Sequence, residues 1–518
     1  MPENQAAPEV SVSLAEVASV IARAADLATG QPLDHIVRSC AIAFLLSERL
    51  AISADERATT FWVSLLMISG CSAVSFEMSR LFGDDIDVRG AGYDLGPSSL
   101  EQARFLFGRA GGGAKGKTRV RLELLGTRLR PFIDTILAHC SVNSRLAERL
   151  GLGSDVRDAL TKSFAQWNGK GIPDGIGGTD IPLPVRIGAL ADLVEVAWRK
   201  AGVDGAIEAA TTWSGISLDP DLVDAWCASA PEILAAVDGD ASRDIVSSAA
   251  PNRTLTPGEL DAGLELIADY ADLKSPWFTG HSRAVADRTE AAARALGLSD
   301  ADAAKGRHAA LLHDIGRMSV PNSIWDKPGP LDADEWERVR LHAHFTDRIV
   351  RRGDGLATLA PIASSAHERS DGAGYPRGIA GETIPLLGRI LAAADRFQAM
   401  REERPQRPAF DATSAGRELR RMARDGELDP AAVDAVLSDT GPTRRLRPSG
   451  PAGLTPREIQ VLVLAARGAT TRQIARRLGI APKTAGNHIE HIYAKVGISS
   501  RAEAAMFAMQ QGLVGDEP

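Results

Sequence analysis

The sequence predicts an all-α protein with two helical domains of one type in tandem, followed by a small C-terminal domain of four helices. Its length of 518 residues is enough for about three domains. The first half of the chain repeats the spacing of polar residues found in the second half, which indicates two copies of one domain. Near the C-terminus, helix caps and glycine turns follow one another as in a helix-turn-helix.

These patterns divide the chain into segments. The linker before the last domain is rich in proline, glycine and arginine, which is typical of a segment that breaks helices. The expected segments are an N-terminal segment over 1–29, a first copy over 30–240 with a glycine-rich insertion at about 84–128, a second copy over 257–440, a linker over 441–453 and the C-terminal domain over 454–518.

The two copies agree in the distances between corresponding residues. Pairs separated by 32, 29 and 24 residues occur once in each half of the chain. In the first half the pairs are His35 with Met67, His139 with Asn168, and Asn168 with Asp192; in the second they are His281 with His313, His342 with Asp371, and Asp371 with Asp395.

The second copy concentrates side chains of the kind that bind metal ions. Neutral imidazoles and carboxylates suit a borderline divalent ion, and a carboxylate next to a histidine can bridge two ions that together activate water. The candidate ligands are His281, His313, Asp314, His342, His367 and Asp395.

The motifs around these residues resemble the HD-GYP branch of the HD phosphohydrolase superfamily. They are H-S-R-x-V-A at 281, L-L-H-D-I-G-R at 311–317, H-E-R-x-D-G-A-G-Y-P-R-G at 367–378 and I-P-L-L-G-R-I-L-A-A-A-D at 384–395. The resemblance covers roughly residues 257–440. It implies an all-helical scaffold and, as in typical members, hydrolysis of cyclic di-GMP.

The resemblance also implies roles for the candidate ligands. The first metal would take His281, His313, Asp314 and Asp395, and a second metal would share Asp314 and take His342 and His367. The family usually has two adjacent histidines where this chain has Ala366 and His367, and its three-metal members have a glutamate where this chain has Trp277. We therefore expect one well-formed divalent metal site, for iron or manganese, and a pair only if water replaces the missing imidazole.

Substrate contacts follow from the same resemblance. Asp314 would bridge the metals, and Arg317 would stabilise phosphate charge where the family usually has a lysine. The positions that commonly face the dinucleotide are Tyr375, Arg377, Arg404 and Arg407. The alternative for these four is a structural turn with solvated arginines.

The first copy lacks the metal-binding groups. Met67 and Ile68 replace the histidine-aspartate pair, and Phe164 replaces the last histidine. Thioether, alkyl and phenyl groups do not bind a borderline cation through oxygen or imidazole nitrogen, so we expect a metal-free scaffold or sensor. Its remaining polar residues, His35, His139 and Asp192, are then expected to persist as hydrogen-bonded structural groups.

The insertion contains a sequence that matches a phosphate-binding loop. Between Met67 and His139 the first copy is 43 residues longer than the second between His313 and His342, and residues 111–118 satisfy the GxxxxGK(S/T) pattern. The surrounding residues do not predict the strand before it that such a loop needs. We therefore interpret it as a flexible, basic, glycine-rich excursion.

The C-terminal block carries its own helix signals. Thr455, Pro456 and Glu458 form a capping box with proline at the first helical position. A short helix and a glycine turn over 471–480 precede a second helix expected over 482–496. This block resembles the LuxR-type four-helix DNA-binding domain over nearly all of 454–513; a small helical protein-binding module is the alternative.

The LuxR resemblance implies double-stranded promoter DNA as a partner. Residues near the groove would be Lys483, Thr484, Asn487 and His488; phosphate contacts would come from Lys495, Arg472 and Arg476. The last helix, over 501–511, resembles the surface on which this family forms homodimers.

Charge and composition agree with this division. The net charge is −8, and the eleven basic against five acidic residues from 441 onward make the tail +6 and the remainder −14. Four widely spaced cysteines indicate neither a disulfide framework nor a zinc ribbon. No apolar run reaches the ~18 residues that span a bilayer, so we expect no membrane partner and a cytoplasmic protein.

Two functions remain open from the sequence. In the first, the chain is a DNA-binding transcription regulator whose tandem HD-type region binds a small molecule, such as a cyclic dinucleotide or nucleotide. In the second, the second copy is an active metal-dependent phosphodiesterase joined to a DNA-binding domain.

Overall fold

The computed structural model describes residues 11–112, 117–127, 129–249, 252–438 and 450–514. Within these ranges every regular element is a helix, and strand-type pairing is limited to four isolated β-bridges. The predicted all-α class is confirmed. One hydrophobic cluster extends from Val12 to Val514 and includes residues of both copies and of the C-terminal domain.

The first part of the chain contains the following α-helices: α1 (Leu14–Ala28), α2 (His35–Arg49), α3 (Ala54–Leu66), α4 (Ser75–Phe82), α5 (Asp85–Gly92), α6 (Ser99–Arg109), α7 (Lys117–Gly126), α8 (Arg130–Arg149), α9 (Ser154–Leu160), α10 (Leu183–Trp213), α11 (Pro220–Ala236) and α12 (Ala241–Ser248). Helix α10 is interrupted at Ala201 and Gly202, whose backbone angles are not helical. Helices α2, α3 and α10 pack together as the centre of the first copy.

The second copy and the C-terminal domain follow. Their helices are α13 (Pro257–Asp272), α14 (His281–Ala295), α15 (Asp300–Leu312), α16 (Asn322–Trp325), α17 (Ala333–Val350), α18 (Ala360–Ala363), α19 (Leu386–Arg401), α20 (Ala412–Arg424), α21 (Pro430–Ser438), α22 (Pro456–Ala466), α23 (Thr471–Leu478), α24 (Pro482–Val496) and α25 (Arg501–Gln510). Short 3₁₀ helices include Ser69–Val74, Pro276–Phe278 and Ile315–Ser319. Helix α14 packs on α15, α19 and α21.

The repeat seen in the sequence has a structural counterpart. Asp26 accepts a hydrogen bond from the backbone N–H of Ile36 at 2.9 Å, and Asp272 accepts one from the N–H of Ser282 at 3.0 Å. In both copies the aspartate lies ten residues before its donor. The two copies therefore position the histidine-bearing helices α2 and α14 in the same way.

Helix α1 lies between the two copies. Of its fifteen residues, fourteen are buried, and eleven of the fifteen are alanine, valine, isoleucine or leucine. It packs on α2 and α3 of the first copy and on α13 and α17 of the second. Glu16 accepts a hydrogen bond from the N–H of Leu356 at 2.8 Å. The segment that the sequence marked only as N-terminal thus forms part of the interface.

The described part of the insertion is helical and joins the two copies. Asp85, at the start of α5, pairs with Lys274 at 2.9 Å, and both side chains are fully buried. Asp85 also accepts a hydrogen bond from the N–H of Asn322 at 2.8 Å. Residues 113–116 of the phosphate-loop-like sequence lie outside the described residues. Because breaking a buried pair leaves a charge without a partner, this contact holds the insertion to the second copy.

One segment of the first copy has the composition of a membrane span. Ala54–Phe82 has a mean hydropathy of 1.5 over its most apolar window, so by length and composition it could cross a membrane. The sequence predicted no such segment. In the structure it is divided into α3, the 3₁₀ helix Ser69–Val74 and α4, and 83% of that window is buried. Its apolar residues therefore belong to the hydrophobic core of the protein.

The C-terminal domain is packed on the first copy through α25. Glu503 accepts hydrogen bonds from Ser141 at 2.6 Å and Arg145 at 2.8 Å, both on α8. Arg501 pairs with Glu77 at 2.7 Å. The helix predicted to form a homodimer surface therefore contacts the first copy of its own chain.

Candidate metal centre and nucleic-acid interface

Five elements of the second copy bring the predicted ligands together. His281 begins α14, and His313 and Asp314 follow the last turn of α15. The others are His342 in α17, His367 in the loop after α18 and Asp395 in α19. All six side chains are buried. Residues far apart in sequence thus converge in the interior of the helical domain.

The first group contains His281, His313, Asp314 and Asp395. Each contributes a ligand-type atom, and these atoms all lie within 4.8 Å of one another. His281 Nε2 is 3.1 Å from Asp395 Oδ1, and His313 Nε2 is 2.8 Å from Asp314 Oδ2. Two imidazoles and two carboxylates at this separation could hold a divalent ion.

The second group contains Asp314, His342 and His367, which also lie within 4.8 Å of one another. The Nε2 atoms of His342 and His367 are 2.8 Å apart. Two ring nitrogens this close repel each other unless a proton or a cation lies between them. Asp314 belongs to both groups, so its carboxylate could bridge two ions as predicted.

Contacts on the far side of three histidines fix their ring orientation. His281 Nδ1 donates to Glu402 at 2.9 Å, His313 Nδ1 donates to the carbonyl of Ala310 at 2.6 Å, and His342 Nδ1 donates to the carbonyl of Val339. A donor at Nδ1 leaves the Nε2 lone pair pointing into the site, as in metal-binding histidines.

His367 has a different environment. Its ring is stacked on Tyr375, with centroids 5.0 Å apart and an interplanar angle of 18°. Burial lowers the pKa of His367 to about 4, so the imidazole is neutral near pH 7 and can act as a ligand. An aromatic ring therefore supports this histidine, whose Nδ1 lies 3.5 Å from Asp395 Oδ2, whereas each of the other three donates from Nδ1 to an oxygen that is not a predicted ligand.

The charges of the first group stabilise one another. Burial lowers the pKa of His313, but the carboxylates of Asp314 and Asp395 outweigh burial and raise it to about 9. Burial raises the pKa of Asp314, whereas Arg317, His313 and His281 hold it well below its usual range. A cation entering this group would therefore displace protons from the imidazoles.

Several polar atoms in the site fit a bound cation. His313 Nε2 and both carboxylate oxygens of Asp314 are buried and, within the described ranges, have no partner with hydrogen-bond geometry. Asp314 Oδ2 forms an ion pair with Arg317 Nη2 at 2.5 Å. The two imidazoles and two carboxylates of the first group form a donor set that fits a divalent ion.

Arg317 provides positive charge beside these ligands. Its guanidinium lies over the ring of Phe278, 4.2 Å from the centroid, and Nη2 is 3.4 Å from His281 Nε2. The Nε and Nη1 atoms are buried and have no hydrogen-bond partner among the described residues. Two donors therefore remain for an anionic group at the site.

The other residues predicted to face a dinucleotide differ in position. Tyr375 borders the second group of ligands, as its stacking on His367 requires. Arg377 donates to Ser365 Oγ at 2.9 Å and to the carbonyl of Pro361. Arg404 and Arg407 also have protein partners, Glu402 at 2.6 Å for the former and the carbonyl of Met400 at 3.2 Å for the latter.

In the first copy the corresponding polar residues form hydrogen bonds to protein groups. His35 donates from Nδ1 to Glu195 at 2.5 Å, and its Nε2 is 3.0 Å from Asp192. His139 Nε2 donates to the carbonyl of Met67 at 2.8 Å. Tyr93, from the insertion, donates to Asp192 at 3.4 Å. The insertion therefore contacts the residues at the position that corresponds to the metal site, which spacing alone did not predict.

The predicted helix-turn-helix is present. Thr455 and Glu458 form the expected capping box, and α24 has the predicted bounds Pro482–Val496. Five predicted DNA contacts are exposed and make no hydrogen bond or ion pair within the described ranges: Arg472, Arg476, Lys483, Thr484 and Asn487. His488 is half-buried, and Lys495 pairs with Glu458 at 2.7 Å.

Comparison with known proteins agrees with this geometry. Residues 265–432 match the family model of the HD domain, and residues 452–508 match that of bacterial regulatory proteins of the luxR family. A 3′3′-cGAMP-specific phosphodiesterase 3 of Vibrio cholerae is 33% identical over 406 residues, 77% of this chain and 88% of that protein. The chain belongs to the HD-GYP family. This HD-GYP protein joins an HD domain to a LuxR-type DNA-binding domain.

Further relatives support the assignment. A cyclic di-GMP phosphodiesterase of Thermotoga maritima is 35% identical over 177 residues, 34% of this chain and 47% of that protein. The crystal structure of a cyclic GMP-AMP specific phosphodiesterase of V. cholerae matches with a TM-score of 0.59 at 29% identity, over 83% of this chain and 97% of that one. Residues 257–518 make up only about half of the chain, so a match over 83% of the chain must include the first copy.

Proposed function

We propose that this HD-GYP protein is a transcription regulator in which the tandem HD-type region, holding a divalent metal and a cyclic dinucleotide, controls the LuxR-type domain. The observation that carries the proposal is the position of residues 275–280, which contact the metal centre on one side and the DNA-binding domain on the other. A change at the metal centre can therefore reach the DNA-binding domain through direct packing.

The contacts toward the metal centre come from two residues. Phe278 lies under the guanidinium of Arg317, and Gly280 directly precedes His281. Gly280 has a positive φ of 84°, a backbone conformation that glycine adopts without strain. The position of residues 275–280 therefore sets the start of α14 and with it the position of His281.

The contacts toward the DNA-binding domain lie in the same segment. Thr279 Oγ1 donates to the carbonyl of Ala466 at 3.5 Å, at the end of α22. A Cβ atom placed on Gly468 would lie 2.8 Å from Cβ of Pro276. Gly468 is thus so close to the Pro276 ring that an added side chain would have to displace it, and a shift of residues 275–280 would press on the DNA-binding domain.

The proposed metal is iron or manganese, held by His281, His313, Asp314 and Asp395, with His342 and His367 available for a second ion. This donor set of imidazole and carboxylate groups suits either ion. A divalent ion at such a site supplies Lewis-acid polarisation of a phosphate and activation of water. Asp314 and the buried histidines hold the site in a fixed geometry.

The proposed ligand is a cyclic dinucleotide. The relatives of the second copy include enzymes named for 3′3′-cGAMP and for cyclic di-GMP. The phosphate groups of such a ligand are complementary to the two Arg317 donors that have no partner among the described residues. Tyr375 offers an aromatic face beside His367.

The test is DNA affinity in the presence and absence of ligand. Binding of the manganese-loaded full chain to labelled mixed-sequence duplex DNA is followed by fluorescence anisotropy, with 3′3′-cGAMP or cyclic di-GMP added. Because a typical coupling between sites is about 1 to 3 kcal/mol, we expect a change in Kd of about 5- to 150-fold. An affinity that neither ligand changes would contradict control of the DNA-binding domain.

Hydrolysis of the same ligand is the second candidate function. It is favoured by the complete first group of ligands and by the position of Arg317 next to Asp314. Incubation of the metal-loaded protein with each cyclic dinucleotide should then yield a linear product, and Asp314→Ala should abolish it. If the ligand binds but no linear product forms, hydrolysis is excluded and only the regulatory function remains.

The proposal includes two further elements. The protein would act in the cytoplasm, where it can reach the chromosome. It would bind promoter DNA as a homodimer through α25, which requires that the contacts of Glu503 with Ser141 and Arg145 open. Sedimentation of the full chain with and without duplex DNA tests the homodimer.

A further inference from the structure

Both nitrogens of the His281 ring are held by carboxylates from α19 and the residue that follows it. His281 Nε2 lies 3.1 Å from Asp395 in α19, and His281 Nδ1 donates to both carboxylate oxygens of Glu402, at 3.0 and 2.9 Å. Glu402 directly follows α19 and is seven residues beyond Asp395, which is about two helical turns. Residues two turns apart lie on the same face of a helix, so α19 presents both carboxylates to one imidazole.

Glu402 is itself fixed by two donors. Gln398 donates to Oε1 at 3.0 Å, and Arg404 donates to Oε2 at 2.6 Å. Arg404 also donates to the carbonyl of Trp277 at 3.0 Å. The carboxylate thus has little freedom to turn away from His281, although 19% of its side chain is exposed.

Arg404 is held beside Glu402 by further contacts of its own. Its guanidinium lies 4.8 Å from the centroid of Phe278, and Arg317 lies 4.2 Å from the same ring. Its side chain is 9% exposed. The sequence had placed Arg404 among residues facing a dinucleotide, whereas its contacts here are with Glu402, Trp277 and Phe278.

We propose that Glu402, held by Arg404, is the positioning residue of the first metal ligand. Its carboxylate keeps a proton of His281 on Nδ1, so that Nε2 is the nitrogen left to bind a cation in the space between Asp314 and Asp395. Carboxylates that accept from a metal-binding histidine orient the ring and raise its basicity as a ligand. This inference rests on the metal site of the proposed function.

The first copy offers a matched control. His35 donates from Nδ1 to Glu195 and has Nε2 next to Asp192, the same arrangement of one histidine between two carboxylates. The positions of the other ligands are occupied there by Met67, Ile68 and Phe164. Glu195→Gln therefore removes an equivalent buried contact without touching a predicted metal ligand.

The test is manganese affinity of the apo full chain, measured by calorimetry and by the electron paramagnetic resonance signal of free Mn²⁺. Removing such a partner typically weakens metal binding about 10- to 100-fold, and we expect this for Glu402→Gln. Glu195→Gln should bind manganese like the unmodified chain. Equal affinity of Glu402→Gln and the unmodified chain would overturn the proposal, as would an equal loss in Glu195→Gln.

Arg404→Met provides a second variant that leaves Glu402 in place. A positioning role predicts weaker manganese binding in Arg404→Met, because Glu402 loses its strongest donor. A role confined to dinucleotide contact predicts unchanged manganese binding, and that result would count against the proposal even if Glu402→Gln failed to fold. Absence of manganese binding by the unmodified chain would refute the metal site itself, which distinguishes the two failures.

Discussion

Gly280 and Val514 are in contact: a Cβ atom placed on Gly280 would lie 3.1 Å from Cγ2 of Val514. Gly280 precedes the first predicted metal ligand, and Val514 lies just beyond the last helix of the DNA-binding domain. This pair thus adds a third contact between residues 275–280 and the C-terminal domain, beside those of Thr279 and Pro276.

Gly280→Ala should loosen this contact. The substitution adds a Cβ at a positive φ, which costs roughly 1 to 2 kcal/mol, and pushes against Val514. We expect faster hydrogen exchange of the backbone amides in α25. Gly297→Ala is the matched control, because Gly297 has a similar φ of 78° and nothing lies within 4 Å of its Cβ position. Equal exchange in the two variants would argue against the contact.

Ala366→His should restore the second metal site. Ala366 stands where the family usually has an additional histidine, next to His367. We expect the number of manganese ions bound per chain to rise relative to the unmodified protein. Because Ala366 is buried, overpacking would cost about 1 to 3 kcal/mol, and Ala366→Leu controls for this size effect. An unchanged number of manganese ions per chain would show that the missing imidazole does not limit metal binding at the second site.

The stability of the first copy should fall at high pH. Burial lowers the pKa of His35, but Asp192 and Glu195 outweigh it and raise the pKa to about 10 from an ordinary 6.5. The raised pKa means that the charged imidazole stabilises the fold fully below pH 6.5 and loses that effect as the pH rises to about 10. We therefore expect the free energy of unfolding in urea to be higher for the unmodified chain than for His35→Gln near pH 6.5, and this difference to shrink as the pH rises to about 10. A constant difference would contradict the pairing.

The DNA contacts should appear in the salt dependence of binding. Arg472→Ala and Arg476→Ala each remove one predicted phosphate contact, so each should lower the slope of log K against log salt by about 1. Arg477→Ala is a control from the same helix, because Arg477 pairs with Glu403 of the second copy at 2.9 Å. Equal effects of all three variants would place the DNA elsewhere.

Local signals in the sequence predicted the helices of the C-terminal domain and a set of candidate metal ligands. The cap at Thr455 and the bounds of α24 depend on nearby residues, which a sequence displays directly. Ligand spacing and family motifs brought the six candidate ligands to one region, and the structure places them together.

Contacts between distant segments were harder to predict. The burial of α1, the Asp85–Lys274 pair and the docking of Glu503 on α8 depend on how whole domains pack, which leaves no local pattern. Glu402 was missed because it lies outside every motif; its spacing of seven residues from Asp395 was the available signal.

The most direct test of the account is the metal content of the full chain, purified without oxygen and measured by elemental mass spectrometry beside Asp314→Ala. Asp314 belongs to both ligand groups, so its loss should remove the ions of either site. We expect at least one iron or manganese ion per chain, lost in the variant. A metal-free chain, or metal retained in Asp314→Ala, would contradict it.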